Sequence, residues 1–208
     1  MKIKDLIKLI IPSVSCVLAL SLTSCASYNA SSLNNLSPDI IKTSSSAKST
    51  DVILAAKVFD RRDCKKYLDR DVISKGYQPI QLYIENNTSK NYVFSLSRVS
   101  VPCATSEEVA QKVHTSTVGR AAGYGAAAFF TCGLFVIPAV IDGVKSAQAN
   151  ETLDNDFLLK AAKDQVVHSY SRLNMLLFVP IKSYEPNFNV TLIDQNSDQP
   201  RTFQVRTN

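Results

Sequence analysis

The chain of 208 residues contains no tryptophan and only two histidines, His114 and His168. Two histidines argue against a histidine-rich zinc site or a histidine-based proton relay. Neither a Gly-x-Ser-x-Gly nucleophile elbow nor a His-Glu-x-x-His zinc motif occurs in the sequence. These absences argue against an enzyme, and the sequence predicts no cofactor and no metal site.

A strong excess of charge of one sign is also lacking. The 23 basic and 18 acidic residues leave a formal net charge of +5 at pH 7. No run of basic residues is interleaved with aromatic residues, as a nucleic-acid-binding surface would require. We therefore expect no nucleic-acid partner.

What the chain does have is an export signal at its amino terminus. Three lysines within the first eight residues precede a largely apolar stretch over residues 9–22. About 14 such residues suit a signal-peptide core but are fewer than the roughly 20 of a spanning helix. We interpret residues 1–24 as a signal peptide that is cleaved between Ser24 and Cys25. The alternative is an uncut signal anchor.

The ending Leu22-Thr23-Ser24-Cys25 resembles the lipobox of bacterial lipoprotein precursors. The resemblance implies that Cys25 becomes the mature amino terminus and carries acyl chains. Two or more acyl chains give stable membrane attachment, whereas one gives only marginal binding. The resemblance also implies a location in the bacterial cell envelope, facing the periplasm or the cell surface. Ala26, where a retained lipoprotein would have Asp, favours the outer membrane over the inner membrane.

Two longer segments resemble lipoproteins of unassigned function from chlamydiae and their relatives. The segments are EEVAQKVHTSTVGRAAGYG, residues 107–125, and LNMLLFVP, residues 173–180. This resemblance implies a class of protein and a location, and it brings no reaction with it.

The five cysteines include no Cys-x-x-Cys pair. Loss of Cys16 with the signal and acylation of Cys25 would leave Cys64, Cys103 and Cys132. An oxidising envelope would permit a disulfide between Cys64 and Cys103. The alternative is that the three residues are small buried apolar side chains.

Residues 25–50 comprise the lipidated terminus and a stretch rich in serine and asparagine. Such a composition buries too little apolar surface to offset the entropy cost of ordering the chain. We expect a disordered tether here, which as a flexible coil of about 25 residues would reach roughly 25–30 Å.

The body, residues 51–208, begins with strand and turn patterns. Residues 52–59 are short and apolar, which predicts a strand. Asp60 can then cap a helix that places Cys64, Tyr67 and Leu68 on one face.

Clean alternation of apolar and polar residues follows. Residues 80–85 and 92–101 alternate on either side of an asparagine-rich turn over residues 86–91, which predicts a β-hairpin. A later apolar strand over residues 175–179 and a last hairpin over residues 188–205 close the chain. Six or seven short strands separated by turns predict an antiparallel β-sandwich. The order of these strands resembles that of the immunoglobulin-like modules of bacterial envelope proteins, which implies an immunoglobulin-like sandwich and carries no activity with it.

A helical insertion, residues 104–166, separates the two β halves. Thr105 to Glu108 fit a capping box at a helix start. The 21 residues of 121–141 carry no charge and are long enough to span a bilayer. A single span would put the two β halves on opposite sides of the membrane, where neither could complete a sheet.

A helical hairpin avoids that separation. We predict two arms, residues 105–131 and 139–166, that fold back near the helix breakers Gly133 and Pro138. The fold class is therefore α+β. The tip of the hairpin is apolar and is predicted to contact a membrane or a protein partner, with the alternative that it packs on the sandwich; its residues are Phe129, Phe130, Leu134, Phe135, Val136 and Ile137.

The sequence thus predicts a non-enzymatic envelope lipoprotein with a structural or adaptor role. One alternative is a ligand-binding β-sandwich module, and another is an integral membrane protein with one helix over residues 121–141. The basic residues of the Arg61-Arg62 and Lys65-Lys66 pairs are interpreted as a solvated helix face, with contact to anionic head groups as the alternative.

Overall fold

A computed structural model describes residues 27–44, 51–115 and 136–207. The elements are α1 (Pro38–Ser44), β1 (Val52–Val58), α2 (Arg61–Leu68), β2 (Tyr77–Asn86), β3 (Tyr92–Phe94), α3 (Ser106–Val113), α4 (Val136–Lys160), β4 (Gln165–Val167), β5 (Arg172–Pro180), β6 (Asn187–Asp194) and β7 (Pro200–Arg206). The fold is mixed α+β. Among the described helices, none combines the length and the apolar character needed to cross a membrane.

The chain divides into two compact units. Asn29–Val113 and Leu153–Asn208 form the first, which we call the β unit, and Met1–Tyr28 with His114–Thr152 form the second. All the strands belong to the β unit, and α4 begins in the second unit and ends in the β unit.

Two antiparallel sheets build the β unit. The first has the strand order β1-β2-β5, and the second has the order β4-β3-β6-β7. Leu54, Leu82 and Leu177 of the first sheet lie in the same buried cluster as Phe94 and Leu192 of the second. The two sheets therefore share one apolar core.

Several predicted elements are confirmed. The strand β1 ends one residue before the predicted limit, and β6 pairs with β7 as the last hairpin. The Asp60 side chain accepts a hydrogen bond from the Asp63 amide (2.7 Å). The Asp63 side chain in turn accepts one from the Asp60 amide, which completes a capping box at the start of α2. The predicted face of Cys64, Tyr67 and Leu68 is buried.

The predicted hairpin over residues 80–85 and 92–101 is wrong. The strand β2 pairs with β1 and β5, whereas β3 pairs with β4 and β6. Residues 87–91 therefore carry the chain from one sheet to the other.

The side chain of Asn86 explains this corner. Asn86 is fully buried, and its Nδ2 donates to the carbonyls of Lys90 (2.7 Å) and His168 (2.8 Å). Its Oδ1 accepts from the Thr88 amide (3.0 Å) and from the Thr88 hydroxyl (2.7 Å). The asparagine thus holds a bend between layers, where the sequence pattern predicted a turn within one sheet.

The helical insertion also differs from its predicted bounds. The helix α3 ends at Val113, and Asn150 of α4 bonds both the amide (2.9 Å) and the carbonyl (3.2 Å) of Thr115. The helix α4 begins at Val136, so Pro138 lies in its first turn, where proline needs no helical hydrogen bond. The rest of the predicted first arm, residues 116–131, lies outside the described residues.

The end of the second arm was predicted six residues too late. The helix α4 stops at Lys160, and residues 165–167 form β4 on the edge of the second sheet. Backbone pairing of Val166 and Val167 with β3 wins over the helical pattern, which fits the preference of β-branched residues for strands. The pattern predicted no strand here.

The disordered tether predicted for residues 25–50 is wrong for residues 29–44. These residues pack on the outer face of the first sheet, and they include α1. Leu36 is buried against Ala55 and Tyr83, with Ile40 and Ile41 beside it. A few apolar residues are enough to order this segment because they pack against apolar side chains of the sheet and need not form a core of their own.

Candidate functional site

Most of the predicted site residues lie outside the described part of the chain. These are the cleavage and lipidation residues Ser24 and Cys25 and the hairpin-tip residues Phe129, Phe130, Leu134 and Phe135. Val136 and Ile137 form the start of α4, but their side chains are not described. The anchor and the tip therefore stay predictions.

The disulfide predicted between Cys64 and Cys103 is not formed. Both residues are free thiols. Burial raises the pKa of the Cys64 thiol to about 12, helped by Asp71 and Asp63, and burial raises the pKa of the Cys103 thiol to about 11. Cys64 lies on the buried face of α2 and Cys103 packs beside the shared core, so both act as small apolar residues. This is the alternative that the sequence left open.

The N-terminal segment of the β unit, residues 29–44, is joined to α2 by hydrogen bonds from its backbone amides. The amide of Asn29 donates to Asp69 Oδ2 (3.0 Å), and the amide of Ser31 donates to the carbonyl of Lys66 (2.9 Å). Both acceptors lie at the C-terminal end of α2. The segment is therefore fixed beside this helix from its first residue onward.

Further along, the same segment is held by the sheet itself. The carbonyl of Asn34 accepts from Gln81 Nε2 (2.6 Å) and from Asn174 Nδ2 (2.9 Å). Gln81 is almost fully buried, and its Nε2 also donates to Asn174 Oδ1 (2.7 Å). A buried amide without partners would cost about 1–3 kcal/mol, so this contact both fixes the segment and satisfies the sheet.

Asp69 is the carboxylate that links the N-terminal segment to the end of α2. It accepts from the Asn29 amide and from Arg70 NH1 (3.1 Å), and it pairs with Lys65. Burial opposes ionisation of the carboxyl, but the hydrogen bonds from Lys65 and from the Asn29 amide hold its pKa below the usual value. Asp69 is therefore a fixed negative charge that ties the N-terminal segment to α2.

The outward side of α2 is basic. Arg61, Arg62, Lys65 and Lys66 are exposed, and we call these four residues the α2 basic face. The Nζ of Lys66 lies 4.7 Å from the ring centre of Tyr67, so this cation makes a cation–π contact within α2.

The charge of the whole chain is concentrated around this helix. Residues 57–75 contain seven basic and four acidic residues, a formal excess of three positive charges. Removal of residues 1–24, with three lysines and one aspartate, would lower the net charge of the chain from +5 to +3. The rest of the mature chain is then formally neutral. A chain-wide composition hides this concentration, although a local count reveals it.

A second polar feature is a cleft of about 420 Å³ at one end of the β unit. Its walls come from three separate stretches of the sequence, which is why sequence patterns missed it: Asp51, Asn87, Thr88, Ser89, Lys90, Tyr92 and Arg201.

Two cations stand at the walls of this cleft. Arg201 NH1 donates to the Tyr92 hydroxyl (3.1 Å), and its guanidinium lies 5.3 Å from the ring centre of Phe203. Lys90 Nζ bonds Asp194 Oδ2 (2.6 Å), which lowers the pKa of that carboxyl to about 2. Asp51 adds a carboxylate to the same walls, so the cleft suits a small polar ligand whose negative group meets Arg201.

The described residues contain no group of three or more His, Cys, Asp or Glu side chains arranged to hold a metal ion. No family model matches the chain, and no similar curated protein or solved structure was found.

Proposed function

We propose that this chain is a non-enzymatic lipoprotein of the bacterial cell envelope that acts as a membrane-anchored interaction module. The observation that carries the proposal is the packing of residues 29–44 on the β unit. Packing begins only four residues after Cys25, the residue of the lipobox that would carry the acyl chains. An anchor at that position would present the β unit itself at the membrane, which is what an interaction module needs.

The strand order supports an immunoglobulin-like sandwich as the scaffold. With the seven strands lettered A to G, the neighbours A-B-E and C-F-G of the immunoglobulin constant-type sandwich recur here. The fourth strand lies beside β3, whereas in the constant type it lies beside the fifth. Such scaffolds carry binding surfaces on their loops and edges, and the fold by itself implies no reaction.

A helical hairpin inserted between β3 and β4 completes the proposed architecture. The bonds from Asn150 to the backbone of Thr115 support it, because they join the chain that leaves α3 to the chain that returns along α4. We propose that the hairpin tip, with Phe130 and Leu134, is a second contact with a membrane or a protein partner.

The lipid anchor is tested by metabolic labelling with an alkyne fatty acid and by the mass of the N-terminal peptide. We expect the label in the wild-type chain and in Cys16→Ser, since Cys16 leaves with the signal. We expect none in Cys25→Ser, which should also leave the membrane fraction. An unlabelled wild-type chain in the bacterial membrane would contradict the anchor.

The tip is tested with the mature chain carrying Cys25→Ser, so that no acyl chain contributes. We expect this chain to bind liposomes and expect Phe130→Asp with Leu134→Asp to abolish the binding. Leu159→Asp is the control, because Leu159 is an exposed leucine far along α4. Binding that survives the charged tip would contradict this contact. Protease access to residues 60–100 and 180–205 from opposite sides of a membrane would instead indicate a single span.

Ligand binding is the second candidate function, and the polar cleft beside Lys90 and Arg201 favours it. Native mass spectrometry of the purified chain would then reveal a small anionic molecule. Arg201→Ala should release the molecule, whereas Arg206→Ala, an exposed arginine on the same strand, should retain it. Equal retention by both variants would exclude the cleft as the binding site.

A further inference from the structure

The α2 basic face lies next to the point where the N-terminal segment is bonded to the end of α2. Ser31 bonds the carbonyl of Lys66, and Asn29 bonds Asp69, which follows α2 directly. Lys65 and Lys66 belong to the last turn of α2. The first anchored residues of the segment and these two cations therefore share one end of a short helix.

Chain length limits how far this end can lie from the anchor. Four residue steps separate Cys25 from Asn29. A fully extended chain advances at most about 3.6 Å per residue, so the Cα atoms of these two residues are at most about 14 Å apart. This is about half the reach of the 25-residue coil that the sequence predicted. An acylated Cys25 would hold the end of α2 close to the head groups.

Most acidic residues around α2 serve contacts within the fold. Asp69 also pairs with Lys65, so the outward charge of the α2 basic face rests on its other three residues. Asp60 caps the helix through the Asp63 amide, and Asp63 accepts from Lys57 Nζ (2.8 Å). Asp69 bonds the Asn29 amide, as described above. Arg62 and Lys66, two positions before and after the buried Cys64, lie on the opposite side of the helix, and Arg61 is exposed in its first turn.

We propose that the α2 basic face binds anionic phospholipid head groups in the leaflet that holds the acyl chains of Cys25. This inference rests on the proposed lipid anchor. A cluster of at least four basic residues held within about a Debye length of a negative membrane surface is attracted to it, and the attraction falls with salt. The face orients the β unit on the membrane, so that α2 points toward the lipid and the other loops are left free for partners.

The test uses the acylated chain reconstituted into vesicles of phosphatidylcholine, with or without phosphatidylglycerol. Lysines are acetylated briefly, and the extent at each site is read by mass spectrometry. We expect Lys65 and Lys66 to react severalfold more slowly in the anionic vesicles, and high salt should remove the difference. The exposed Lys163 and Lys182 are internal controls that should react equally in both vesicles.

Matched variants make the test specific for this face. Arg61→Glu with Arg62→Glu should remove the slow reaction of Lys66. Arg98→Glu with Arg206→Glu makes the same charge change at exposed sites elsewhere and should keep it. Equal reactivity of Lys66 in both vesicles would overturn the proposal, as would equal slowing of all four lysines.

Failure of this proposal is distinguishable from failure of the anchor. The mass of the N-terminal peptide reports acylation of Cys25 independently of the lysine reaction. An acylated chain with an unprotected α2 basic face contradicts only the inference drawn here. A chain without acyl groups contradicts the proposed function itself.

Discussion

The two sheets of the β unit differ in how their outer faces are covered. In the three-stranded sheet, the outward residues Gln81 and Tyr83 of β2 are only 3% exposed. In the four-stranded sheet, β7 keeps alternating exposed and buried residues, as a sheet with one solvated face does. The N-terminal segment and α4 thus both cover the outer face of the first sheet.

The outer face of the first sheet is covered by α4 and by the N-terminal segment, and the two make different kinds of contact. Phe157 of α4 stacks on Phe178 of β5, with ring centres 5.5 Å apart and planes 7° from parallel. The N-terminal segment instead contributes one buried leucine, Leu36, and a single backbone carbonyl, which accepts from both Gln81 and Asn174. The helix therefore adds apolar area, whereas the segment mainly satisfies polar groups. This contrast predicts unequal costs when each cover is removed.

The largest effect is expected for Phe178→Ala. It removes a fully buried ring from beneath α4 and should lower the free energy of unfolding by about 3–5 kcal/mol. Thr191→Ala on the open face, where the threonine shares an exposed hydrogen bond with the hydroxyl of Thr202 (2.9 Å), should cost less than about 0.5 kcal/mol. Urea unfolding measures both. Similar losses for the two variants would mean that the faces are equally packed.

The corner between the sheets should be next. Asn86→Ala removes a fully buried side chain that donates to the carbonyls of Lys90 and His168, and it should cost about 2–3 kcal/mol. Asn189→Ala, at an exposed position of β6, is the matched control and should be nearly neutral. If both changes were neutral in urea unfolding, the crossing between sheets would not depend on this side chain.

A smaller effect is expected for Leu36→Ala, about 1.5 kcal/mol, because the leucine is buried at the edge of the molecule. Hydrogen exchange should show faster exchange in residues 29–44 and no change in β6 and β7. Leu33→Ala, the same change at a half-buried position, should have a weaker effect. Unchanged exchange in the N-terminal segment of Leu36→Ala would contradict the role of this residue in the cover.

The smallest effect on the free energy of unfolding is expected from the ion pair between Lys90 and Asp194, and it appears only in acid. The hydrogen bond from Lys90 depresses the pKa of Asp194 to about 2, against an ordinary value of about 3.9. A depressed folded-state pKa stabilises the protein above about pH 4, and this contribution is lost as the pH falls toward 2. Urea unfolding across this range should show the loss in the wild type, and Lys90→Met should flatten it. An unchanged acid profile in Lys90→Met would show that another group controls the loss.

Local patterns predicted the elements whose partners lie nearby in the sequence. The capping box of α2, its buried face and the last hairpin needed only residues within a few positions of each other. The inward row Ile80, Leu82 and Ile84 is fully buried as predicted. The outward row misled, because Gln81 and Tyr83 are polar enough to suggest a solvated face although both are covered.

The errors share one physical cause, which is contact with distant parts of the chain. The Asn-rich segment after β2 resembles a hairpin turn, but the carbonyl of His168 helps to hold it as a corner between sheets. Residues 29–44 look disordered alone and pack because a surface more than ten residues away receives them. The polar cleft joins three separate stretches and has no local pattern at all.

The sequence by itself determined the α+β class of fold and the local start and buried face of α2, because each depends on residue types at short spacing. The lipobox resemblance at Cys25 stays a prediction. Only the tertiary structure decided that the N-terminal segment packs on the first sheet. It also decided which strands share a sheet, and that the end of α2 is bonded to Asn29, four residue steps after Cys25. Pairing and burial depend on groups brought together from far along the chain, and no local spacing encodes those meetings.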